Sequence, residues 1–93
     1  MLLNEMVVRV LVALHNNPGI TFNKLYNIVG GNRNKLKEII DWLVEKGLVA
    51  RIKLDKNDFK GFPVRYKNPY SLSLTPLGEE VLDLIIKLNK LIG

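Results

Sequence analysis

The sequence predicts a single, mainly α domain of the α+β class, with four helices and a two-stranded hairpin before the last of them. Apolar residues recur in four segments at the three- and four-residue spacing of one helical face. After the third segment, LVARIKL (48–54) alternates apolar and charged residues as a strand does, and VRYKNPYSLSL (64–74) returns as its partner. A chain of 93 residues that is 47% hydrophobic and 25% charged is typical of one folded domain, here over 1–93.

The first two predicted helices are separated by a turn and a very short strand. The first helix covers residues 2–15, and its apolar face consists of Leu3, Met6, Val7, Val10, Leu11 and Leu14. The turn NNPG (16–19) ends it, because proline and glycine do not continue a helix. Residues 20–22 suffice only for a one-bridge strand. The second helix then starts with Asn23 as its N-cap, and its inward residues are Leu25, Ile28 and Val29.

The third predicted helix, about 33–46, starts with a cluster of polar and basic residues. Two glycines at 30–31 form the tight turn before it, and Asn32 is its N-cap. Its buried face consists of Leu36, Ile39, Ile40, Leu43 and Val44. Gly47 supplies a C-cap in the left-handed conformation.

The hairpin and the last helix complete the domain. The residues of the hairpin expected to face the core are Leu48, Ala50, Ile52, Leu54, Tyr70, Leu72 and Leu74, and Arg51 and Lys53 are expected to face outward. In the last helix, about 76–92, Thr75 is the cap and Pro76 the first residue. Its apolar residues at alternating four- and three-residue steps are those of a coiled-coil seam: Leu77, Val81, Leu84, Leu88 and Leu91.

This order of elements is that of the winged helix-turn-helix, with a three-helix core, a two-stranded β wing (about 48–74) and a C-terminal dimerisation helix. GNRNKLKEIIDWLVEKGLVAR (31–51) resembles the recognition helix and first wing strand of MarR- and ArsR-like transcription regulators. YSLSLTPLGEEVL (70–82) is similar to their second wing strand and the step into their dimerisation helix. The resemblance covers most of residues 20–82. It implies a cytoplasmic, homodimeric regulator that binds double-stranded DNA, of the short type found in archaea and their viruses (then in the host cytoplasm).

The positive charge of the chain is concentrated in its middle. Of the residues from 23 to 67, eleven are Lys or Arg and five are Asp or Glu, in a chain of net charge +5. In helix-turn-helix proteins the start of the second helix of the motif reaches base edges in the major groove. The predicted DNA contacts there are Asn32, Arg33, Asn34, Lys35 and Lys37. We expect Arg33 and Asn34 to contact bases and the two lysines to contact phosphates. The alternative is an ordinary solvated helix face with an Asn cap.

A second basic group is expected to contact phosphates along the flanking minor groove. It comprises Lys24 and the wing residues Arg51, Lys53, Lys56, Lys60, Arg65 and Lys67. Alternatively, charges on edge strands only discourage aggregation. Phe59 and Phe62 in the wing loop could stack on bases or fold back on the hairpin. Trp42 is not explained by the core, and it could pack under the wing, against Tyr66 or in a dimer interface.

The first and last helices carry more apolar surface than one chain can bury. A two-fold dimer would bury the surplus, and its predicted interface residues are Leu3, Val7, Leu77, Val81, Leu84, Ile85, Leu88 and Leu91. Such a dimer presents two recognition helices about 34 Å apart to a pseudo-palindromic site. The alternative is a monomer that encloses its last helix.

Several other classes of function are disfavoured. The chain has no cysteine and one histidine, His15, so we expect neither a metal site nor a cofactor. No carboxylate cluster has metal-binding spacing, and Tyr26, Tyr66 and Tyr70 are expected to be structural, so the protein is not expected to be an enzyme.

Membrane association and ligand control are disfavoured too. Glu5 and Arg9 interrupt the N-terminal apolar run, which argues against a signal peptide or membrane anchor. The chain is too short to form much of a ligand pocket, so we expect no small-molecule effector. The alternative function is a winged-helix interaction module that binds an acidic partner protein.

Overall fold

The computed structural model describes residues 4–53 and 70–92 and places them in helices α1 to α4 and strands β1 to β3. The elements in chain order are α1 Glu5–Asn16, β1 Ile20–Thr21, α2 Phe22–Val29, α3 Arg33–Glu45, β2 Val49–Lys53, β3 Tyr70–Leu74 and α4 Pro76–Ile92. The predicted mainly α, α+β class is confirmed. Residues 54–69, which include most of the predicted wing, lie outside the described residues.

Each helix begins where a side-chain oxygen accepts a hydrogen bond from a backbone N–H two or three residues further on. The four caps are Asn4, Thr21, Asn32 and Thr75, with distances of 2.8–3.4 Å. The predicted caps Asn32 and Thr75 are confirmed. The predicted start of α1 at residue 2 is wrong, because Asn4 caps a helix that begins at Glu5. The prediction of Asn23 as the cap of α2 is also wrong, because the Thr21 hydroxyl does this and Asn23 lies inside the helix.

The sheet is antiparallel, with β3 between β1 and β2. Residues paired directly across an antiparallel ladder share a face, so the pairing of Arg51 with Leu72 puts Arg51 on the core side. Ile52 lies on the opposite face and is 55% exposed. The predicted face assignment of β2 is therefore wrong. Leu48 is buried in the turn before the strand, and the alternation begins one residue later, at the buried Val49.

The core lies where α1, α2 and α3 meet the sheet and the first half of α4. Its fully buried side chains are Val7, Val10, Leu11, Leu14, Leu25, Leu36, Leu43 and Leu72. The predicted inward face of α3 is confirmed, although Val44 is only half-buried. Trp42 packs against this core and is partly buried, so the core accounts for it after all.

Helix α2 has a different inward face from the predicted one. Its side chains that pack in or against the core are Phe22, Leu25, Tyr26 and Val29, which follow the i, i+3, i+4, i+7 spacing of a helix stripe. Ile28 lies off this stripe and is 55% exposed. The prediction of Ile28 as inward is wrong because the aromatic side chains of Phe22 and Tyr26 belong to the inward stripe.

The start of α4 is fastened to the start of β2 by the Thr-Pro-Leu-Gly segment. The Thr75 hydroxyl donates to the Gly47 carbonyl at 2.6 Å, and the Thr75 N–H donates to the Leu48 carbonyl at 3.1 Å. A Cβ on Gly78 would lie 2.0 Å from the Leu48 carbonyl oxygen, so only glycine fits there. Gly47 itself has φ +76°, which confirms the predicted left-handed C-cap of α3.

Candidate nucleic-acid interface

Helices α2 and α3 form a helix-turn-helix with a three-residue turn. Gly30 and Gly31 adopt φ of +72° and +79°, the left-handed region that glycine tolerates best. The Asn32 carboxamide oxygen then accepts the Lys35 N–H at 3.1 Å and fixes the first turn of α3. The backbone N–H groups at this helix start provide a partial positive charge that favours phosphate.

The exposed side of α3 begins with polar and basic residues and continues with acidic ones. At about 100° per residue, the stripe opposite the buried face, which we call the outward stripe, consists of Asn34, Glu38, Asp41 and Glu45. Lys35 and Lys37 lie on its two flanks, and both are exposed. Asn32 is exposed as well. These residues are accessible to a nucleic acid, and their contact with DNA stays a prediction.

Arg33 differs from the rest of the cluster because its side chain turns back onto α2. Its guanidinium carbon lies 5.2 Å from the centroid of the Phe22 ring and 5.3 Å from that of the Tyr26 ring. The same group donates a hydrogen bond to the Asn23 side chain at 2.5 Å. The guanidinium therefore does not extend away from α2 here, and the predicted contact of Arg33 with a base stays a prediction. Its guanidinium instead fastens the start of α3 to two aromatic rings one turn apart on α2.

The wing is fastened to α3 at its base in a similar way. The Arg51 guanidinium pairs with the Asp41 carboxylate and lies 5.8 Å from the centroid of the Tyr70 ring. The strand register turns Arg51 toward α3 and not outward as predicted, and its contact with a phosphate stays a prediction. The four-residue spacing of Phe22 and Tyr26 was available in the sequence as a signal for the Arg33 contact, but no local pattern indicated the Arg51–Asp41 pair.

The other predicted members of the second basic group are only partly placed. Lys24 on α2 and Lys53 at the end of β2 are exposed. The remaining wing residues of the prediction lie outside the described residues: Lys56, Phe59, Lys60, Phe62, Arg65, Tyr66 and Lys67.

Helix α4 exposes an apolar stripe along one side. Its members, which we call the α4 stripe, are Leu77 (50% exposed), Leu84 (57%), Leu88 (39%) and Leu91 (85%). Val81 is half-buried beside it, and Leu3 lies outside the described residues. Two predicted interface residues need correction: Val7 is fully buried and Ile85 is 6% exposed, because α1 and α4 pack together within one chain.

His15 and the acidic residues of the described ranges do not form a metal site. The His15 Nδ1 lies 2.7 Å from a Glu79 carboxylate oxygen and links the end of α1 to the start of α4. Within residues 4–53 and 70–92, no three such side chains are placed to hold a metal ion. No helix in these ranges is long and apolar enough to cross a bilayer.

Neither the protein-family models nor the curated proteins match the sequence. Solved structures match the fold. MarR from E. coli superposes with a TM-score of 0.75 at 22% identity, over 92% of this chain and 57% of its own. The PcaV transcriptional regulator from Streptomyces coelicolor gives 0.71 at 24% identity, over 88% and 54%. BpsR from Bordetella bronchiseptica, whose DNA binding is regulated by 6-hydroxynicotinic acid, gives 0.73 at 16% identity, over 97% and 61%.

The predicted winged helix-turn-helix fold of the MarR type is thereby confirmed. The chain spans little more than half the length of the first two of these structures, 57% and 54%. At these identities the similarity concerns the fold, and the activity and partners of this chain have to be argued from its own surface.

Proposed function

We propose that the protein is a transcription regulator that binds a double-stranded DNA site through the start of α3. One observation carries the proposal: in a helix-turn-helix, the exposed first two turns of α3 present Asn34 and Lys37 while the opposite side is buried. Asparagine can hold adenine through two hydrogen bonds in the major groove, and lysine suits phosphate or guanine. The transcription regulators with which the chain shares its fold support the same function.

In this proposal some residues of the site contact DNA and others hold the contacting elements in position. Asn34 contacts a base, and Lys35 and Lys37 contact phosphates together with the positive end of the α3 dipole. Arg33 fixes the position of α3 on α2, and Arg51 fixes the wing base on α3. Lys24, Lys53 and the wing residues Lys56, Lys60, Arg65 and Lys67 contact flanking phosphates. Regulation follows from occupancy of a promoter in the cytoplasm, and the protein is not an enzyme.

The α4 stripe supports a homodimer. Large contiguous apolar surfaces are rare on monomers and mark protein interfaces. Pairing α4 with its copy across a two-fold axis would bury the four leucines and place two α3 helices about 34 Å apart, which suits a pseudo-palindromic site. The lack of a small-molecule effector stays a prediction, because BpsR shares the fold and its DNA binding is regulated by such a molecule.

The test is fluorescence anisotropy of a labelled mixed-sequence duplex at increasing salt concentration. Because each neutralised phosphate releases counterions, log K should fall with log salt by several units of slope. Lys37→Ala should lower the slope by about one unit. Lys90→Ala on α4 removes the same charge from an exposed site away from α3 and should leave the slope unchanged.

Two results would contradict the proposal. One is an absence of duplex binding at about 50 mM salt, where electrostatic attraction is strong. The other is an equal effect of Lys37→Ala and Lys90→Ala, which would show only general attraction between a basic protein and DNA. In the first case an acidic partner protein becomes the function to test.

A further inference from the structure

The outward stripe of α3 is acidic, although the proposed function places it between two phosphate strands. After Asn34 it carries three carboxylates, Glu38, Asp41 and Glu45, each exposed to solvent. A carboxylate near phosphates is repelled, and it loses hydration when it enters the groove. A carboxylate on such a surface therefore weakens binding unless it has a counter-charge or finds a hydrogen-bond donor.

The three carboxylates are not equivalent. Asp41 already has a counter-charge, because it pairs with Arg51. Glu45 is the last residue of α3 and lies about 10 Å further along the helix axis than Glu38. Glu38 lies in the second turn, and its side chain is 73% exposed. The Lys35 ammonium is 3.9 Å from its carboxylate, at the outer limit of an ion pair, so Glu38 can turn to another partner.

We propose that Glu38 is a specificity-determining residue that accepts a hydrogen bond from the amino group of a cytosine in the major groove. This inference rests on the proposed function, since it requires α3 to lie in the groove. A carboxylate only accepts hydrogen bonds. Guanine and thymine present acceptor oxygens, whereas cytosine presents its N4 amino group as a donor. Adenine also has an amino group, but its neighbouring N7 acceptor repels a carboxylate.

Asn34 and Glu38 then read the same half-site together. They are four residues apart on one stripe, which is about 6 Å along the helix axis. One base pair occupies about 3.4 Å of the duplex, so the two side chains reach base pairs about two steps apart. The predicted half-site has an adenine for Asn34 and a cytosine for Glu38 at this spacing. The same carboxylate disfavours non-specific binding, because it is repelled where no donor is available.

The experiment is a selection from a randomised duplex library with the wild-type protein, Glu38→Gln and Glu45→Gln. Both substitutions remove one negative charge from the outward stripe, so general electrostatics are matched. Glutamine prefers adenine, since it can donate to N7 and accept from N6. Glu38→Gln should therefore change one selected base per half-site from cytosine to adenine, with a loss of about 10-fold in cytosine preference. Glu45→Gln should retain the wild-type motif.

The remaining outcomes overturn the inference in distinguishable ways. A wild-type motif that persists in Glu38→Gln removes the role of Glu38 and leaves the proposed function intact. Equal changes in both variants mean that only net charge matters. If the wild-type protein enriches no duplex, the proposed function itself fails, and the inference fails with it. Both substitutions are at exposed positions, and circular dichroism confirms that each variant folds.

Discussion

The start of α3 and the α4 stripe are both exposed, but their exposure has different energetic consequences. Asn34 and Lys37 are well hydrated, so their exposure costs the isolated chain nothing. Leu84 and Leu91 are apolar and remain in water at 57% and 85% exposure, which is unfavourable until a partner covers them. An exposed apolar stripe is therefore evidence for a partner by itself. An exposed polar stripe indicates a partner only when its position in the fold does so.

The two regions also differ in how firmly their own chain holds them. The start of α3 is fixed by the Asn32 cap and by the contacts of Arg33 with α2. In the outer part of α4, every residue from 86 to 92 is exposed, so the chain itself leaves the leucines there in contact with water. We infer that the proposed DNA-binding surface is organised in the isolated chain, whereas the outer part of α4 would be covered only in the proposed dimer.

The largest expected effect comes from placing a charge in the α4 stripe. Leu84→Glu would remove two buried leucines from the proposed two-fold interface, at about 2 kcal/mol each, and should weaken the proposed dimer by about 1,000-fold. Sedimentation velocity over a range of protein concentrations measures the change. Ile86→Glu is the matched control, because position 86 lies about 200° around the helix from Leu84 and is also exposed, at 41%. A dimer unaffected by Leu84→Glu, or a wild-type monomer, would refute the interface.

The second largest effect concerns the junction between the start of α4 and the start of β2. Gly78→Ala would place a methyl group against the Leu48 carbonyl oxygen, so α4 would have to shift from the start of β2. We expect the free energy of unfolding to fall by about 3 kcal/mol, as measured by urea denaturation. Glu80→Ala, two residues further along α4 and exposed, should change it by less than about 0.5 kcal/mol. Similar losses for both variants would show that the junction is not tightly packed.

Local patterns in the sequence predicted these features to different degrees. The caps Asn32 and Thr75 and the buried face of α3 were predictable because each depends on residues within one or two turns. The surplus apolar surface of α4 was predictable as well. The sequence did not indicate which of its apolar residues enter the core, and in the structure Ile85 is buried whereas Leu84 is exposed. Only the packing of α1 against α4 decides between them.

The hydrogen-bond partners of the two site arginines, Asn23 and Asp41, were not predictable from local pattern. Arg33 and Arg51 each bind a side chain ten residues away on another element. The predicted outward face of Arg51 was wrong for a further reason. Leu48 is buried in the turn before β2, so the alternation starts at Val49 and places Arg51 on the core side. An alternating pattern indicates a strand, but it does not say where the alternation starts.

The smallest effect separates the two roles considered for Arg33. If its guanidinium only fixes α3 to α2, Arg33→Lys weakens the contacts with Phe22 and Tyr26 and lowers the free energy of unfolding by about 1 kcal/mol. Affinity for all duplexes should then fall together, because the whole start of α3 is less well positioned. Arg9→Lys, which changes an exposed arginine paired with Glu5 on α1, is the control for stability and should have almost no effect. If Arg33 instead leaves α2 to hold a guanine, Arg33→Lys should keep its stability and relax the preference at one base pair. Urea denaturation and library selection on the same variant decide between these outcomes.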